Sequence, residues 1–224
     1  MITVKTEQEI DLMREPCAIV RDTLAYVGSK VRPGVTTAEL DAYAEKYIRS
    51  RGAEPSCLGY SGYPASICAS VNEEVVHGIP GDRVLRSGDI VSIDLCAYKN
   101  GFHGDGARTF AVGEIDEEKS KLIRVTEECF WKAVENLRAG TPLFDIGAIV
   151  QQHAEENGFS VVREFVGHGI GREMHEDPSV PNYGKAGTGI RLKAGMVICI
   201  EPMINMGTWQ VDFLDDGWTV ETRD

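Results

Sequence analysis

The residues that could do chemistry in this 224-residue chain begin with two carboxylates, Asp94 and Asp105, set in stretches otherwise poor in charge. Residues 88–98 and 103–110 are both β-prone, and Asn100-Gly101 between them is a two-residue hairpin signal, because both turn positions need φ > 0. That turn fixes a register in which Tyr98 faces His103, Cys96 faces Asp105 and Asp94 faces Ala107. Side chains alternate along a strand, so Asp94 and Cys96 share a face, and Asp94 and Asp105 become diagonal neighbours roughly 7–8 Å apart. Two carboxylates on one buried face repel, and one goes neutral unless a cation holds them. A metal site with hard oxygen ligands and a solvated hairpin face with two ordinary acids are equally good readings of the hairpin alone.

The remaining candidates come from an internal duplication. Residues 32–36 (RPGVT) align with residues 138–142 (RAGTP) at an offset of 106, which also places Leu40 on Ile146 and Gly52 on Gly158. At an offset of 107, residues 85–94 align with residues 192–201, and Asp94 falls on Glu201. Two halves, each helix-helix-strands and each delivering an acid at the end of the same strand, imply a pseudo-twofold arrangement with one central site. His168 lies in Gly167-His168-Gly169, where glycines let backbone approach a ligand closely. A lone histidine in a glycine-rich loop is ordinarily a turn or core residue, but beside three convergent acids it becomes a ligand candidate. Mostly oxygen donors with one imidazole suit Mn, Fe, Co or Zn, and shared carboxylates suit a two-metal site. His77 and His175 are not needed as ligands. They are either exposed surface histidines or, if they reach the site, donors to the carbonyl under attack.

The elements that must position these residues are legible in outline. Capping boxes at Thr6/Glu9 and Thr36/Glu39 open two helices, the first carrying Pro16 as an expected kink, the second ending at Gly52. The loop from Cys57 to Pro64 is either a connector or a pocket wall built from Cys57, Tyr60 and Tyr63. Strands are expected at 66–71, 160–166 and 196–201, and helices at about 117–137 and from 142 to 158. Blocks of helices and strands predict an α+β fold, a curved antiparallel sheet covered by helices. A formal net charge of -12 argues against direct nucleic-acid binding and against an anionic membrane surface. The six cysteines form no C-x-x-C and read as reduced thiols of a cytoplasmic protein. No apolar run approaches the length of a membrane span, and the acidic, polar N-terminus does not read as a signal peptide.

Taken together, the motifs resemble the type I methionine aminopeptidases, whose pita-bread fold is shared with creatinase and proline-specific aminopeptidases. The resemblance runs from near residue 5 to the end, through residues 57–60 (CLGY), 62–64 (GYP), 77–80 (HGIP), Asp94 with Asp105, 167–171 (GHGIG), 175–178 (HEDP), 201–203 (EPM) and 217–220 (GWTV). It implies removal of the initiator methionine from nascent chains and peptides by a cytoplasmic monomer. It implies up to two divalent ions (Co, Mn, Fe, Zn or Ni) on Asp94, Asp105, His168 and Glu201. Asp105 would bridge, Glu201 would shuttle protons, and His77 and His175 would contact substrate. Cys57, Tyr60, Tyr63, Cys68, Met174 and Trp218 match the methionine pocket, and a thioether does pack well against aromatic and sulfur-bearing groups. Met174 stands where the family often has an aromatic residue, and Ser61 where many bacterial relatives have histidine. The family pattern continues past Asp224 through a strand carrying a last shared glutamate, so the expectation is one domain over 1–224 without that strand. A non-catalytic binding module on the same fold is the alternative, and a metal-free paired-carboxylate hydrolase is a weaker third.

Overall fold

The computed structural model describes residues 2–224. Its elements run α1 (Glu7–Gly28), α2 (Thr37–Ser50), β1 (Glu54–Pro55), a 3-10 turn (Tyr60–Gly62), β2 (Cys68–Val71), β3 (Glu74–Val76), β4 (Ile90–Lys99) and β5 (Phe102–Ala111). Then follow α3 (Glu117–Glu135), α4 (Phe144–Glu156), β6 (Ser160–Val161), β7 (Gly167–Gly169), β8 (Glu176–Val180), β9 (Ile204–Asn205), β10 (Val211–Phe213) and β11 (Val220–Thr222).

The hairpin β4–β5 has the register its turn predicts: Tyr98 pairs with His103, Cys96 with Asp105 and Asp94 with Ala107. Asn100 and Gly101 take φ of 56° and 81°, as a two-residue turn demands. β4 pairs antiparallel with β5 on one edge, and with β1 and β2 on the other. Both predicted capping boxes form, with each threonine hydroxyl accepting from the N3 amide and each glutamate accepting from the cap amide. α1 continues through Pro16 as one helix. Its backbone there presses on the hairpin: a Cβ added at Gly104 would sit 2.6 Å from the Pro16 carbonyl carbon and the Cys17 nitrogen. Glycine at 104 therefore lets the helix lie on one face of β5, while Asp105, the next residue along, projects to the other.

The duplication is visible in the backbone. Gly34 N donates to Leu85 O at 2.8 Å, and Gly140 N donates to Leu192 O at 2.8 Å. The isolated bridges Thr36–Val84 and Pro142–Arg191 are likewise equivalent under the two offsets. Each half has its own apolar core. One gathers Val27, Leu40, Ile48, Ile67, Val91 and Ile93, and the other Val125, Cys129, Ile146, Val150, Phe159 and Val180. The second half is less regular than its sequence suggests. Residues 160–166 yield only β6, and 196–201 form no strand. That segment pairs with β7 through single bonds, Cys199 N to His168 O at 2.7 Å and Ile170 N to Val197 O at 3.2 Å, and the one bridge Gly169–Ile198. The register of β7 against β8 shifts between His168 and Gly169, which prevents a continuous ladder.

Candidate metal centre

Four side chains predicted to converge are supplied by four segments. Asp94 sits on β4 opposite Cys68 of β2, Asp105 on β5, His168 on β7, and Glu201 follows the segment bonded to β7. His168 Nε2 lies 3.5 Å from Asp105 Oδ2 and 3.2 Å from Glu201 Oε1. His168 Nδ1 is 2.8 Å from the Gly169 carbonyl oxygen. A carbonyl only accepts, so Nδ1 carries a proton, and Nε2 faces two carboxylates, as a lone pair when the ring is neutral and as half of an ion pair when it is protonated. Glu201 Oε1 is buried and has no hydrogen-bond partner. A cation between these groups relieves their convergence, either a proton on Nε2 or a metal ion in its place. A histidine whose far nitrogen donates to a backbone carbonyl is the usual arrangement of an oriented metal ligand. Asp105 belongs to both donor groups of the site. One of its oxygens lies within 4.8 Å of ligand atoms of His168 and Cys199, and likewise of Asp94 and Cys96. The donor set therefore fits divalent ions, with Asp105 placed to be shared.

The electrostatics agree. Burial, then the charges of Asp105 and Glu201, push Asp94 well above the usual carboxylate range. Burial and the Asp105 charge raise Glu201 to about 7, against partial relief from His168. Burial alone would hold His168 neutral, but Asp105 and Glu201 outweigh it and raise its pKa. These are the costs of massed acids in a low-dielectric site, and a bound cation reverses them.

Beside the acids lies a small apolar cluster in which Tyr63, Ala65 and Cys68 are buried, with Cys57, Ile79 and Trp218 packed against it. Four of the six predicted pocket residues thus share one cluster. Tyr60 lies outside it, exposed, its hydroxyl 2.8 Å from His175 Nδ1. Met174 is buried but is not part of that cluster. The His175 and His168 rings are 4.3 Å apart, which brings His175 to the acids. His77 follows β3 with φ of 61°, an unusual conformation for a non-glycine residue and one that recurs at functional sites. Burial lowers its pKa and keeps it neutral near pH 7; burial and then the neighbouring His168 charge do the same for His175.

In the sequence Cys96 and Cys199 read as plain core thiols, yet both stand among the acids. Period-two alternation was the available signal, since Cys96 follows Asp94 by two and Cys199 precedes Glu201 by two. Phe165, packed edge-on to His77 at 5.3 Å, had no such signal.

Comparison with known proteins follows the same line. The model of metallopeptidase family M24 matches residues 11–223. A methionine aminopeptidase of Clostridium perfringens is 58% identical over the whole chain and 90% of its own length. Methionine aminopeptidase 1 of Bacillus subtilis is 50% identical with the same coverage. The crystal structure of the Rickettsia prowazekii methionine aminopeptidase superposes with a TM-score of 0.98 at 43% identity, over all of this chain and 90% of that one. The α+β architecture is therefore the pita-bread fold, and the chain belongs to metallopeptidase family M24, among the methionine aminopeptidases.

Proposed function

We propose that this chain hydrolyses the peptide bond after an N-terminal methionine, with divalent ions held by Asp94, Asp105, His168 and Glu201. The observation that carries the reading is the meeting of His168 Nε2 with the carboxylates of Asp105 and Glu201, at 3.5 and 3.2 Å. Bound there, divalent ions supply Lewis-acid polarisation of the carbonyl and an acidified water. Glu201, whose buried Oε1 has no hydrogen-bond partner in the fold, takes the proton of the attacking water and delivers it to the departing amine. His175 donates from Nε2 to the developing oxyanion when Nδ1 accepts from the Tyr60 hydroxyl, and His77, beside Trp218 of the pocket, contacts the substrate. Cys57, Tyr63, Cys68 and Trp218, with Ile79, hold the methionine side chain.

Relatives spanning the whole chain are methionine aminopeptidases, which favours the peptidase over a non-catalytic module. Nascent chains in the cytoplasm are the substrates in this reading, the enzyme acts as a monomer, and up to two ions of Co, Mn, Fe, Zn or Ni complete the site. No described helix is long and apolar enough to cross a membrane. The test is methionine release from Met-Ala-Ser by metal-loaded protein, abolished by chelation and restored by Mn²⁺ or Co²⁺. Metal binding without release would overturn it.

A further inference from the structure

The ring contacts form a continuous row that does not stop at the methionine pocket. Tyr63 meets Trp218 at 5.0 Å, and Trp218 meets His77 at 6.4 Å. His77 meets Phe165 at 5.3 Å, and Phe165 meets Phe213 at 5.7 Å. The first two rings belong to the pocket, and His77 marks the bond to be cut. On the function proposed above, the row beyond His77 leads away from the methionine side chain, toward the side that the rest of the peptide must take. It ends on Phe213, which at 66% exposure is the most exposed large apolar side chain among the described residues, next to Leu214 at 36%.

Phe213 is held firmly for so exposed a ring. It pairs with Val220 of β11, which pairs with Val76 of β3, the residue before His77. The connecting turn is locked by Leu214 N donating to Thr219 O at 2.9 Å, and by the amides of Trp218 and Thr219 donating to Asp216, each at 2.8 Å. Val211, two residues earlier on the same strand, is buried. The strand thus carries its apolar face past the edge of the Val162, Met203 and Val220 cluster and presents one ring on an ordered backbone to solvent.

We infer that Phe213, backed by Phe165, forms a subsite for an apolar side chain of the peptide downstream of the cleaved bond. The inference rests on the function proposed above. The ring steps from His77 to Phe213 span at most about 11 Å, and an extended chain advances roughly 3.3 Å per residue, so the side chain met is about the third after the methionine. The ligand is thus an extended peptide whose second to fourth residues after methionine include leucine, phenylalanine or a similar apolar group.

The test uses metal-loaded full chain and pentapeptides Met-Ala-Gly-Gly-Gly in which residue 3, 4 or 5 is replaced in turn by Leu, Phe or Asp. Leu or Phe at one of these positions is expected to raise kcat/KM about fivefold over Gly, mainly through KM, and Asp to lower it. In Phe213→Ser the Leu-to-Gly ratio at that position falls to about 1, with the melting temperature confirming that the variant folds. Equal cleavage of all the peptides, or a preference that survives in Phe213→Ser, overturns the inference. Failure to cleave any of them, including the all-glycine form, overturns the proposed function instead.

Discussion

Glu201→Gln should stabilise the metal-free protein while weakening its metal site. Glu201 is raised from 4.5 to about 7 by burial and by the Asp105 charge. In the unfolded chain it ionises near 4.5; in the fold it keeps its proton until about pH 7. Between those values the folded state binds more protons, so stability falls as pH rises, and the penalty is complete above about pH 7. At roughly 1.4 kcal/mol per pH unit the full cost is about 3 kcal/mol. Glu201 keeps 33% side-chain exposure, and solvent screening reduces this to about 2 kcal/mol. Glutamine has the same shape and no charge to desolvate. In EDTA at pH 8 the variant should melt about 4–8 °C above the parent, for a chain of this size. At pH 5, only about half a unit above the unfolded value, the gap should shrink to roughly a quarter. Added Mn²⁺ should then raise the parent more than the variant, because only the parent offers the carboxylate. Thermal melts at pH 5 and 8, with and without metal, decide the matter. A metal-free variant no more stable than the parent at pH 8 would refute the account of the site as a strained acid cluster.

Three further outcomes follow from the same geometry. Asp105→Asn should lose metal more completely than Asp94→Asn, because Asp105 stands in both donor groups; equal retention by metal analysis contradicts the sharing. His175→Ala should lower kcat by about 10²–10³, the cost of one oxyanion donor, and an unchanged kcat removes it from the mechanism. Tyr60→Phe should lower kcat about tenfold at nearly constant KM by releasing the His175 tautomer, and should add nothing in a His175→Ala background; additive losses would show that Tyr60 acts elsewhere.

What was legible in the chain followed from local rules with few solutions. A two-residue Asn-Gly turn permits one register, so the faces of Asp94, Cys96 and Asp105 follow from the turn alone. The duplication located Glu201 because sequence offsets of 106 and 107 reappear as paired backbone bonds in the two halves. Residues 196–201 misled because a continuous apolar run reads as a buried strand, whereas pairing depends on the neighbouring edge, and β7 offers one broken by its register shift. The orientation of His168 was out of reach for a similar reason. Its Nδ1 is fixed by the carbonyl of its own successor, a matter of local backbone rather than of residue type.

The contrast has a physical root. Strand alternation and turn chemistry act over a few residues, so type and spacing determine them. The site is made where four segments cross, and there the deciding quantity is the distance between groups remote in sequence. This is why Cys96 and Cys199 looked like ordinary core thiols, and why the row from Trp218 through His77 to Phe213 had no counterpart in any sequence pattern. The acids themselves are the exception. Asp94 and Glu201 are held in a low-dielectric site where the Asp105 charge raises the cost of both, and no folding argument accounts for three such acids. A charge set in an apolar run is a local anomaly visible in sequence, and the convergence of three of them is what points to a ligand.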